Sequence, residues 1–287
     1  MWRPDEPCGD GRPRPSRRCE ASRFAPASNH SVSSTAPKRN LTKAVVALLL
    51  TFAAGLVDIA GFIKLYQVFS AHMTGVTVHL GHDIIEGQWH SVLLGGAVLM
   101  SFVAGSIVGR SIIEIGARLR IRRVATITLS LEAALIALVA AISLASMQGE
   151  VRLWLLAMLA ISMGLQTATL TRVGPLTVHT TFVTGMLNKL AQLLSHALFH
   201  HFDAQRDPSQ VKERNRVLRQ AGFIFSIWML YFTGAAVGSV LTFAIGLRSL
   251  FIAVGVLVIA IIADQVHPLS LQEERNEAEP KEIKRAA

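Results

Sequence analysis

The chain has 287 residues, of which 51% are hydrophobic and only 16% charged, and it carries a formal charge of +9. Its apolar residues gather into runs of about 20, enough to cross roughly 30 Å of hydrocarbon, which excludes an ordinary soluble domain and predicts an all-α polytopic membrane protein. The surplus of Lys and Arg sits mainly in the tails and two loops, where helix orientation requires it, and is not interleaved with aromatics as a nucleic-acid surface would be.

Residues 1–40 are rich in Arg, Pro and Ser without hydrophobic periodicity and read as a disordered cytosolic tail. Both cysteines, Cys8 and Cys19, fall in that tail, so neither a disulfide framework nor a Cys-based metal site is expected in the membrane part. The first apolar run starts at Ala44, too late and too long for a cleaved leader, and is expected to anchor the chain. Six runs read as spans: 44–63, 91–113, 124–147, 152–171, 221–244 and 249–266. Two further segments, 66–86 and 176–200, are long enough to cross but hold His72, His79, His82, Asp83 and Glu86 in one, and His179, Asn188, Lys189, Gln192 and His196 in the other. Residues 267–287 form a charged cytosolic tail.

Basic residues arbitrate between six and eight crossings. Lys38, Arg39 and Lys43 precede the first span, Arg110 to Arg123 follow the second, and Arg206 to Arg219 precede the fifth. All three clusters lie on one side only when the two polar segments enter and leave on the same face, so six transmembrane helices plus two broken or re-entrant helices are expected.

The two polar segments also look duplicated. Met73-Thr74-Gly75 and Val183-Thr184-Gly185 interrupt apolar sequence, with Thr74 following Gly55 by 19 residues and Thr184 following Gly164 by 20. Phe102, Gly105 and Gly109 have a parallel in Phe232, Gly234 and Gly238; each glycine pair is a G-x-x-x-G step that lets helix backbones approach closely in lipid. Two pseudo-symmetric repeats follow, 41–147 and 148–266. Three crossings per unit reverse direction on repetition, so inverted repeats are preferred.

Gly55, Asp58, Gly61, Phe62, Phe69 and His72-Met73-Thr74-Gly75, with the later Thr180-Thr181-Phe182-Val183-Thr184-Gly185, resemble the YoaK-type family of uncharacterised bacterial integral membrane proteins. The resemblance covers about residues 41–266. It implies a multi-pass protein of the bacterial inner (plasma) membrane. The family pattern usually continues Met-Thr-Gly with Asn, whereas this chain has Val76.

Asp58 is the sharpest candidate for chemistry. It stands 14 residues beyond Ala44, about 21 Å along a helix, where an ionised carboxylate costs at least about 2.5–3.5 kcal/mol and must pair or protonate. His72, Thr74 and Gly75, and on the other side Thr181, Thr184 and Gly185, would stand at half-helix starts whose unpaired N–H groups favour an anion. Lys189 lies one turn beyond Gly185 and could reach the same cavity or snorkel to the interface. Glu132, eight residues into its span, or about 12 Å deep, is a lone intramembrane acid.

No cofactor or metal is expected, and no nucleophile elbow, zinc-protease motif or phosphate loop is present to suggest an enzyme. The expected partners are the lipid bilayer and a small solute, with a homo-oligomer left open. These features point to a secondary transporter or permease of a small polar or anionic solute, proton-coupled through Asp58 and working by the rocking of one repeat against the other. The alternative is a non-transporting membrane sensor or scaffold.

Overall fold

The computed structural model describes residues 35–121, 123–145, 147–169, 172–173, 176–177, 181–203 and 210–266. The described residues are helical apart from connections and one two-residue strand pair: α1 (Thr35–Lys64), α2 (Met73–Ile85), α3 (Trp89–Arg118), α4 (Val124–Ala145), α5 (Val151–Thr169), β1 (Arg172–Val173), β2 (Leu176–Thr177), α6 (Val183–Asp203), α7 (Gln210–Ile245), a 3-10 turn (Gly246–Ser249) and α8 (Leu250–Val266). All six runs read as spans fall on helices. The tail expected at 1–40 is corrected at its end, because α1 already begins at Thr35. Residues 1–34 and 267–287 lie outside the described residues.

Five stretches are long and apolar enough to cross a membrane: Leu41–Lys64, Trp89–Arg118, Val124–Ala145, Val151–Thr169 and Val211–Val266, the last running through both α7 and α8. α2, with 13 residues, is only about 20 Å long and cannot cross. α6 has the length, but Asn188, Lys189, Gln192 and His196 make it too polar to count among them.

Burial separates central helices from peripheral ones. α1 is the most enclosed, with Val46, Ala47, Leu50, Ala54, Leu56, Val57 and Ala60 at 0% exposure. On α3, by contrast, Leu93, Met100, Ile107 and Ile115 are exposed at steps of seven or eight residues, which keeps them on one helix face. A membrane-spanning bundle uses such a stripe against lipid tails, since there is no water to drive it inward.

Glycine decides how the helices pair. A Cβ at Gly55 would collide with the Tyr231 carbonyl and one at Gly234 with the Phe52 carbonyl, while Gly238 rests on Leu56 and Ile59. Lys64 at the end of α1 and Ile245 at the end of α7 line one hollow, so these two helices are parallel neighbours. α3 and α5 repeat the arrangement: Gly105 abuts the Ile161 backbone, Gly109 that of Leu165, and Gly164 those of Phe102 and Ser106. Backbone-to-backbone approach of this kind is what the missing side chains permit.

Three side-chain bonds fix the remaining directions. Arg152, at the start of α5, donates to the carbonyl of Lys64 at the end of α1 (3.0 Å), and Gln166 near the end of α5 donates to the carbonyl of Leu50 (2.7 Å). α5 therefore runs against α1. Thr126 at the start of α4 donates to Asp264 at the end of α8, so those two are also antiparallel. Since Val124 packs on Gly116, α4 starts where α3 ends. Thus α1, α4 and α7 run one way, and α3, α5 and α8 the other. The stretch holding α2 leaves and rejoins one end of the bundle, and the stretch holding α6 leaves and rejoins the opposite end. Lys43, Arg118, Arg120, Arg123, Arg214, Arg216 and Arg219 all collect at the end where α1 begins and α6 is inserted.

Candidate functional site

The break after α1 is built by backbone strain held in place by two anchors. Tyr66 and Gln67 adopt left-handed φ values of 57° and 56°, a conformation that costs a non-glycine residue roughly 1–2 kcal/mol. Arg152 caps the Lys64 carbonyl and lays its guanidinium over the Tyr66 ring, 4.8 Å from the centroid. The chain then turns back toward the interior with Leu65 and Ser70 fully buried.

The second anchor is Asp58. Its Oδ1 accepts from the Ser70 N–H (2.7 Å), the Ser70 hydroxyl (2.9 Å) and the Ala71 N–H (2.9 Å); its Oδ2 faces His72 Nδ1 (2.9 Å) and the Tyr231 hydroxyl (2.8 Å). Only 2% of Asp58 is exposed. A carboxylate offers about four lone-pair sites, so these five groups saturate it. Asp58 thereby ties α1 to the break and, through Tyr231, to α7. Phe69 stacks on Phe62 with centroids 4.3 Å apart and reaches the His72 ring at 5.0 Å, closing the group with aromatic contacts.

The second break uses neutral groups in the same positions. Thr167 on α5 and Thr181 just before α6 place their hydroxyl oxygens 2.7 Å apart, 14 residues apart in sequence, the same separation as Asp58 and His72. Thr181 is buried, while Thr184 is exposed.

Both breaks open on one cavity. Its volume is about 390 Å³, and Ala71 to Thr74 line one side and Thr181 to Thr184 the other, with Phe102 and Thr167 between them. α2 and α6 thus start at a common space, where first-turn N–H groups lack intrahelical partners. His72, the residue before α2, offers no side-chain cap to them. His72 also lines a second cavity of about 360 Å³ with Phe62, Tyr66, Phe69, His79 and Asp83.

Of the residues expected from sequence, His72, Thr74, Thr181 and Thr184 meet at the shared cavity. Asp58 stands behind His72 rather than on the wall. Gly75 lines the second cavity instead, with nothing within 4 Å of an added Cβ. Gly185 lies against the Phe182 ring, which would have to move to admit a side chain. Lys189 and Glu132 line neither cavity. Glu132 is fully buried in α4, and among the described residues both its carboxylate oxygens lack a hydrogen-bond partner.

Tyr231, Ser70 and Thr167 were not singled out by sequence reasoning. Thr167 could have been found from its 14-residue spacing to Thr181; Tyr231 could not, since only the α1 to α7 pairing brings it to Asp58.

Residues 46–263 match the family described as protein of unknown function DUF1275. The chain belongs to this family. Within it, the chain is 31% identical to the UPF0700 transmembrane protein YoaK of Bacillus subtilis (strain 168) over 189 residues, covering 66% of this chain and 79% of that protein. The match takes in the first span, both breaks and the glycine-paired helices of this DUF1275 protein. No solved structure matches the chain.

Proposed function

We infer that this membrane protein is a secondary transporter or permease for a small polar or anionic solute in the bacterial inner membrane. The observation that carries the reading is the single cavity shared by the two breaks. A packing device would bury such polar starts dry, whereas irregular backbone at membrane depth is tolerated where it lines a cavity. Two helix N-termini meeting at one space, flanked by Thr hydroxyls, favour a ligand with negative or hydrogen-bond-accepting groups.

The architecture proposed around the cavity has six transmembrane helices and two re-entrant segments, arranged as inverted repeats 41–147 and 148–266. Supporting it, α5 runs against α1, α3 and α7 make the same glycine contacts with opposite partners, and each broken segment returns to the end from which it left. The basic end would face the cytoplasm. Alternating access would come from rocking one repeat against the other around the shared cavity.

Asp58 supplies the coupling to protons in this reading. Protonation would remove acceptor capacity that now holds Ser70, Ala71, His72 and Tyr231, and so release the wall of the cavity. No catalytic step is assigned to any of these residues.

The test begins with a thermal-shift screen of purified protein against small carboxylates, inorganic anions and neutral polar metabolites at several pH values. A solute of the transported class stabilises the wild type but neither Thr74→Trp nor Thr184→Trp, which fill the cavity, and it enters proteoliposomes containing the wild type. Stabilisation that survives both substitutions, or binding without any flux, would favour the sensor or scaffold alternative.

A further inference from the structure

Glu132 belongs to neither cavity, yet it is the acid whose surroundings are least able to hold a charge. It stands eight residues into α4, at 0% exposure, and neither carboxylate oxygen has a hydrogen-bond partner among the described residues. Asp58 shows how this fold satisfies a buried carboxyl group: it surrounds both oxygens with hydrogen-bond partners. Nothing similar is provided for Glu132. Its neighbours one turn away on α4 are Thr128, whose hydroxyl is committed to the Ala125 carbonyl, and Ile136.

The charged groups on the elements packed against α4 stand toward its ends, apart from Arg110 on α3, which lies near the depth of Glu132 but is exposed. On α8, Asp264 takes the Thr126 hydroxyl; on α5, Arg152 binds the Lys64 carbonyl; the 3-10 turn contributes Arg248; and α3 contributes Arg110, Glu114 and Arg118 in its last turns. None of these is bonded to Glu132. An ionised carboxylate without a donor or cation is strongly disfavoured at this depth.

The position of Glu132 in the bundle gives a proton held there a role. α4 packs on α5 and α8, so an element of the first half meets two elements of the second at this face. Rocking of the halves, the motion required by the transport reading above, must shear or open this contact. We propose that Glu132 is a second proton-binding site, separate from the Asp58 anchor, which holds H⁺ in the closed arrangement and exchanges it with water when the contact of α4 with α5 and α8 opens. The step is a simple transfer: the carboxylic acid gives H⁺ to water on opening and regains H⁺ from water on closing. A buried carboxyl group without a partner carries an energetic cost in this arrangement, and water reaching an opened interface would relieve it and so favour the open state.

Infrared spectroscopy of the protein reconstituted in liposomes at neutral pH tests this without knowledge of the solute. The wild type is expected to show the C=O stretch of a protonated carboxyl group. That band should move on incorporation of carboxyl-¹³C glutamate, shift in D₂O as exchange proceeds, vanish in Glu132→Gln and persist in Asp58→Asn. The labelled wild type alone decides the matter if Glu132→Gln fails to insert, because the other described glutamates, Glu86, Glu114, Glu150 and Glu213, are at least partly exposed. Absence of the band, or its persistence in Glu132→Gln, overturns the proposal. A band that never responds to D₂O also overturns it, since the acid would then be sealed. Solute binding to the shared cavity that continues despite such a result would leave the transport reading standing and remove only Glu132 from it.

Discussion

The cluster around Asp58 can be tested by a double-mutant cycle with Tyr231. Tyr231→Phe deletes one donor to Oδ2 and leaves the other, His72 Nδ1, in place. A hydrogen bond to a charged group contributes about 1.5–3 kcal/mol net, so this change should cost about 2 kcal/mol. Asp58→Asn keeps the shape and one acceptor oxygen. With that oxygen turned toward Ser70 and Ala71, three bonds survive, but the amide NH₂ now confronts the donors on His72 and Tyr231. Two charge-assisted bonds are lost, and after rotation of the Tyr hydroxyl to accept, the cost should be about 3 kcal/mol. In the double variant there is no hydroxyl left to lose, so the combined cost should fall short of the sum by about 1–2 kcal/mol, the coupling expected of residues in contact. Equilibrium unfolding in mixed micelles, followed by Trp fluorescence, reads all four corners of the cycle. Strict additivity, or a Tyr231→Phe protein as stable as the wild type, would refute the claim that this bond ties α1 to α7.

Side-chain-free packing should be as sensitive as polar anchoring: Gly55→Ala and Gly105→Ala place a Cβ against backbone on the facing helix and should each cost about 1–3 kcal/mol. Gly75→Ala and Gly81→Ala, inside α2, meet nothing within 4 Å and should not destabilise the protein in the same micelles, gaining instead up to about 1 kcal/mol from the lower entropy of the unfolded chain. Topology is checked with single cysteines in a protein whose Cys8 and Cys19 are replaced by Ser: Gln88→Cys, in the turn between α2 and α3, should react with an impermeant maleimide on intact cells, and Arg120→Cys only after permeabilisation. Labelling of both sites from outside would contradict a single cytoplasmic basic end. Arg152→Gln should shorten the lifetime of the break, seen as faster amide hydrogen exchange over residues 65–72, because it removes both the cap on Lys64 and the cation above Tyr66.

Membership of the membrane class, the positions of six apolar helices and the two breaks could all be read from the chain itself, because each depends on local composition. A run of about 20 apolar residues has one stable destination in a cell, and a Thr-Gly step among His and Asn residues cannot lie against lipid without a partner. The G-x-x-x-G steps likewise announce close helix contacts wherever they fall. The choice of partner is not local. Gly234 and Gly238 could have served any neighbour; only the assembled bundle sets them against Phe52, Leu56 and Ile59, and so brings Tyr231 to Asp58 across 173 residues of sequence. The same holds for charge. Asp58 and Glu132 look alike as lone acids in apolar helices, and sequence ranks them only by depth and by Asp58's association with the repeated motif. The tertiary structure separates them, giving one five donors and the other none, because hydrogen bonding of a buried carboxylate is decided by what the neighbouring elements present to it.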